Sequence, residues 1–105
     1  MVKNKKMRRK IPVFRVNMVP GGSYKVLTET PEVIQIVIDE TVLAIKEGIN
    51  KNKKSISLFE VANSDYYIEL EKEKWRPSLE HAMGYYLEKE EYNKCAECRD
   101  LINKL

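Results

Sequence analysis

Two stretches of alternating residues constrain this chain more than anything else in it. Residues 55–61, SISLFEV, place Ile56 and Leu58 on one side and Ser55 and Ser57 on the other. Residues 66–72, YYIELEK, do the same, with Tyr66, Ile68 and Leu70 opposite Tyr67, Glu69 and Glu71. A period of two is the mark of a strand with one face buried. Ala62-Asn63-Ser64-Asp65 between them is turn chemistry, so the pair reads as a β-hairpin. Trp75 follows at the edge of the sheet, as a packing residue or as a binding anchor.

Other segments fall around this hairpin. Residues 11–18, IPVFRVNM, are rich in β-branched and aromatic side chains, and Pro12 confines the start of that run to an edge or first strand position. Val19-Pro20-Gly21-Gly22 signals a turn, and residues 23–28, SYKVLT, read as the return strand of a second hairpin. Thr30-Pro31-Glu32 is a helix start: Thr30 caps, Pro31 suits the first helical position and Glu32 the positive dipole end. The helix is expected to run to Glu47, with Gly48 as a left-handed stop and Ile34, Val37, Ile38, Thr41 and Ile45 on one face. A strand over Val33–Ile38 is the rival. Pro77-Ser78 opens a further helix with a stripe at Leu79, Ala82, Met83, Tyr86 and Leu87. A break near Glu88–Glu90 precedes a last helix over residues 91–105.

The chain has 105 residues, one domain's worth, and its 43% apolar content suffices for a core. No run of 18 apolar residues is present, so no membrane helix is expected. The basic N-terminus is followed by no apolar stretch or cleavage site of the secretory kind. Two cysteines do not make a disulfide framework, and both are expected to be reduced in a cytoplasm-like compartment.

Charge is uneven. Residues 1–15 hold Lys3, Lys5, Lys6, Arg8, Arg9, Lys10 and Arg15 and no acid, so they carry +7. The remaining residues hold 12 basic and 16 acidic groups, so they carry −4. Residues 1–10 have too few apolar groups to fold alone and read as a basic arm on a mildly acidic body. Such an arm suits a polyanion or an acidic protein surface, or is simply a solvated terminus.

Residues 91–105, EYNKCAECRDLINKL, resemble the UVR motif, the short helical hairpin at the ends of the B and C subunits of the bacterial excision nuclease. Glu91, Tyr92, Lys94, Ala96, Arg99, Asp100, Ile102 and Leu105 match its second helix. Leu79, Ala82 and Met83 suit its first helix, and Glu88 and Glu90 its acidic turn. Cys95, Cys98 and Asn93 depart from the pattern. The resemblance covers about a quarter of the chain. It implies a hairpin that pairs with another hairpin or docks on a partner, with Tyr92, Ala96 and Ile102 at the helix contact and Arg99 and Asp100 outward. Packing against the chain's own sheet is the alternative. Nothing else resembles a helicase or nuclease, so no repair chemistry is carried over.

The remaining chemistry is sparse. Cys95-x-x-Cys98 has metal-like spacing, but His81 is the sole histidine and no second CxxC exists. The pair falls mid-helix rather than at the helix start that redox pairs use, so packing cysteines are expected. His81 has no nucleophile paired with it by a local signature, and it reads as solvent-facing. Glu69, Glu71 and Glu73, with Lys72 and Lys74 opposite, read as a solvated strand. No phosphate-binding loop or dinucleotide fingerprint is present. Tyr24, Tyr66 and Tyr67 could stack bases, with phosphate affinity from the arm and from Lys51, Lys53 and Lys54.

The expectation is therefore an α+β domain over residues 11–105 in the order ββ-α-ββ-αα. It has a small antiparallel sheet of two hairpins, one packed helix and a UVR-like helical hairpin over residues 77–105. It is expected to be a non-enzymatic protein-interaction module, an accessory or structural subunit of a larger assembly, with no metal, cofactor or small-molecule substrate. Small Lys-, Asn- and Ile-rich chains are common in bacteriophages, which associates it with a virion or phage–host role. The alternative is a nucleic-acid-binding protein that uses the arm.

Overall fold

A computed structural model describes residues 11–14, 16–18, 24–26, 30–63 and 66–105. The basic arm, Arg15 and the Val19–Gly22 turn lie outside these residues. In chain order the elements are β1 (Val13–Phe14), β2 (Val16–Met18), β3 (Tyr24–Val26), α1 (Pro31–Asn50), β4 (Ser55–Val61), β5 (Tyr67–Glu71), a 3-10 turn at Lys72–Lys74, α2 (Trp75–Glu88) and α3 (Tyr92–Asn103). The fold is mixed α+β.

The alternating segments form the antiparallel β4–β5 hairpin, with Ser55 opposite Glu71, Ile56 opposite Leu70 and Ser57 opposite Glu69. The register then slips, and Phe59 rather than Leu58 stands opposite Ile68. Leu58 is thus the extra residue of a bulge, which lets Leu58 and Phe59 both be buried despite being adjacent. The outer face is polar: the Ser55 and Ser57 hydroxyls donate to the Glu69 carboxylate at 2.9 and 3.3 Å.

The expected single sheet of two hairpins is only partly matched. The N-terminal run divides. β1 joins β4 in parallel, with Val13 opposite Glu60, giving a three-stranded sheet ordered β1-β4-β5. β2 pairs with β3 antiparallel in a separate two-stranded sheet. Pro12 has no N–H to give a ladder, which keeps β1 at the edge. Its carbonyl accepts from the Glu60 N–H at 2.8 Å.

α1 begins as its sequence dictates, with the Thr30 hydroxyl accepting from the Val33 N–H at 3.2 Å and Pro31 in the first turn. It does not stop at Gly48 but runs through it to Asn50. The left-handed residue is Asn52, φ 56°. Asn52 N–H donates to Ile49 O and Lys53 N–H to Gly48 O, the paired bonds of a Schellman cap. The buried face also differs from the expected stripe: Ile38, Val42, Ala44, Ile45 and Gly48 are covered, while Ile34 is exposed.

α2 starts two residues before Pro77, because the first turn of a helix needs no N–H from that position. Trp75 therefore lies in a helix, not on the sheet, and Lys72, Glu73 and Lys74 lie in the preceding turn rather than on a strand. The Trp75 indole is fully buried and donates to Leu70 O at 3.0 Å. Leu79, Ala82 and Tyr86 are buried, but Leu87 is 58% exposed and leaves the stripe. α2 closes on a second Schellman cap, with Glu90 at φ 59°, Glu90 N–H to Leu87 O and Glu91 N–H to Tyr86 O.

One core holds the parts together. Ile45 of α1, Phe59 of β4, Trp75 and Leu79 of α2, and Cys98 and Leu101 of α3 belong to the same buried cluster. The C-terminal helices thus pack on the chain's own sheet and on α1.

Candidate interaction surface

α3 carries the residues that the motif resemblance put forward, and the structure separates them. Ile102 is buried in the shared core and Ala96 is half-buried. Tyr92 is 61% exposed, and Arg99 and Asp100 are exposed, with the guanidinium 3.5 Å from the carboxylate. On a helix, positions 92, 96 and 99 share one side, and 98, 101 and 102 the opposite one. Contact with α2 is made on Cys95's side, where the thiol sulfur lies 3.5 Å from Met83 O. Tyr92, Arg99 and Asp100 remain on the outer surface.

The polyanion residues Lys3, Lys5, Lys6, Arg8, Arg9, Lys10 and Arg15 lie outside the described residues. Lys51, Lys53 and Lys54 stand exposed on the α1–β4 turn, with Lys51 paired to Glu47 at 3.4 Å. Cys98 is fully buried, and burial pushes its thiol up to about 11. Among the described residues, no three His, Cys, Asp or Glu side chains are grouped to hold a metal ion. No helix among them is long and apolar enough to cross a membrane.

A polar junction ties the three helices together. The Asp39 carboxylate of α1 accepts a short hydrogen bond from the Tyr86 hydroxyl of α2. It also accepts from the Gln35 amide at 3.0 and 3.1 Å and faces the Lys94 ammonium of α3 at 3.6 Å. Gln35 in turn accepts from the Tyr85 hydroxyl at 2.9 Å. Burial first, then the bond to Asp39, raises the Tyr86 phenol above its ordinary range. Lys94 sits 5.3 Å over the Tyr86 ring. These groups bind one another across α1, α2 and α3, so the cluster positions the three helices.

The feature that sequence reasoning missed is the outer flank of α1. Ile36 is 44% exposed and Leu43 is 46% exposed. Seven residues apart, they lie on the same side of the helix, two turns from each other, with Glu40 between. α3 borders this flank through the ion pair of Lys46 with Glu97 at 3.2 Å. The signal was present: residues 33–38, VIQIVI, are apolar nearly all round, the mark of a helix covered on more than one side.

Compared with known protein families, curated proteins and solved structures, the chain matches none.

Proposed function

We propose that the chain is a non-enzymatic protein-interaction module, an accessory or structural subunit of a larger assembly. The observation that carries this reading is the exposure of Ile36 and Leu43 on one flank of α1, beside α3. Large aliphatic side chains paired on one helix face, edged by charged groups, suit a protein contact. Tyr92, Arg99 and Asp100 are likewise exposed on α3, and the UVR-like pattern of that helix supports the same reading. Affinity capture with the double variant Ile36→Asp/Leu43→Asp tests it. A partner held by the parent chain should be lost from the variant, with the melting temperature unchanged. Identical captured proteins from both would overturn the reading.

A second reading, nucleic-acid binding through the basic arm, is supported by the exposed Lys51, Lys53 and Lys54 turn. Each neutralised phosphate releases counterions, so binding would fall steeply with salt. Flat salt dependence, or binding unchanged by deletion of residues 1–10, would exclude it.

A further inference from the structure

The first turns of α1 stand apart from α2, and a cleft of about 490 Å³ opens between them. Its floor is Leu58 of β4 and Leu70 of β5. Its α1 lip is aliphatic, chiefly Val33, Ile34, Val37 and Ile38. The Thr41 hydroxyl on that lip is already committed, donating to Val37 O at 2.7 Å. The opposite lip is polar. Lys74, at the end of the 3-10 turn, and Ser78 and His81, three residues apart on α2, line it.

Two properties of this cleft select its occupant. Its volume lies in the range of small-ligand pockets, about 300–1,000 Å³. Its charge is one-sided: the lining includes an ammonium, a hydroxyl and an imidazole, and no carboxylate. Lys74 and His81 make no ion pair among the described residues. An apolar bed with cationic and hydrogen-bonding groups along a single lip fits a molecule that is apolar at one end and anionic at the other. The chain's own basic arm has the wrong sign for it.

We propose that the cleft binds a small amphipathic carboxylate, an alkyl chain or aryl ring with one acid group. The apolar body lies between Ile34 and Val37 of α1 and the Leu58–Leu70 floor. The carboxylate sits against the other lip, accepting from the Lys74 ammonium and the Ser78 hydroxyl or the His81 imidazole. This site is separate from the Ile36–Leu43 flank and does not depend on the interaction reading.

Decanoate is the probe, added to the isotope-labelled full chain below its micellar concentration and followed by amide chemical shifts. Decyltrimethylammonium, with the same tail and opposite charge, and acetate, with the head alone, are the comparisons. Saturable shifts confined to α1, β4, β5 and α2 around the cleft are expected with decanoate, and none with acetate. Decyltrimethylammonium should bind at least about tenfold more weakly, as should decanoate to the Lys74→Gln/His81→Gln variant, from the loss of charge-assisted bonds. Both substituted side chains are exposed, so the variant's spectrum should otherwise match the parent. Equal binding of the two tails, unchanged affinity in the variant, shifts mapping elsewhere, or no saturable binding would each overturn the proposal.

Discussion

Gly48 lies against the indole of Trp75 so closely that a Cβ there would stand 2.7 Å from Trp75 Cη2 and 2.7 Å from Ile56 Cγ2. α1, β4 and α2 meet at this point, and the absence of a side chain lets them. Gly84, on α2, is the opposite case: a Cβ there meets nothing within 4 Å. Gly48→Ala should destabilise by about 1–3 kcal/mol through overpacking, since neither the indole nor Ile56 has room to retreat. Gly84→Ala should stabilise by about 1 kcal/mol through helix propensity alone. Urea unfolding of the two variants checks both, and the same sign in both would mean that the packing at Gly48 is misread.

Glu90 holds a left-handed conformation that a glycine would adopt without Cβ strain. The strain for an L-residue is about 1–2 kcal/mol, partly offset by glycine's greater freedom when unfolded. Glu90→Gly should therefore raise stability by about 0.5–1 kcal/mol. Thermal melts would show it, and a fall in the melting temperature would mean that the Glu90 side chain contributes something its backbone does not reveal.

The Cys98 thiol is raised from 9.0 to about 11, and the Tyr86 phenol is also raised. A raised pKa in the folded state means that the folded chain keeps its proton where the unfolded chain has released it. The stability tied to Cys98 is then complete below about pH 9 and is lost as pH climbs towards 11. The contribution of Tyr86 follows at higher pH, above the ordinary tyrosine value. Urea midpoints between pH 8 and 11 should fall, and Cys98→Ala should flatten the lower part of that fall whatever it costs at pH 8. An unchanged slope in the variant would assign the pH dependence elsewhere.

Local signals in the sequence were read correctly where a few neighbouring residues decide the outcome. Thr30 and Pro31 start α1 because the cap and the fixed φ act within one turn. The β4–β5 hairpin follows from alternation, which requires only that one face be covered. Errors arose where a distant partner decides. Gly48 looks like a helix stop, but it is a packing glycine demanded by Trp75. Phe59 is buried because of a bulge that no local pattern announces. Pro77-Ser78 looks like a helix start and Trp75 like a sheet-edge residue, but the 3-10 turn at Lys72–Lys74 leads straight into α2 at Trp75. The run at residues 33–38 announces a helix apolar on more than one side, but not that Leu58, Leu70, Lys74 and His81 would face part of it across a cleft. On α3, the UVR resemblance groups Tyr92, Ala96 and Ile102, but the core takes Ile102 to one side and leaves Tyr92 on the other.

Site-specific photo-crosslinking tests the interaction reading most directly. A benzoyl-phenylalanine placed at Ile36 or at Leu43, in the full chain expressed in cells, should give one discrete adduct upon irradiation. The same group at Glu73, exposed on the 3-10 turn, should not give it. An adduct of the same mass from positions 36 and 43 and not from 73 is the result this account predicts. No adduct from either α1 position, or the same adduct from all three, would contradict it.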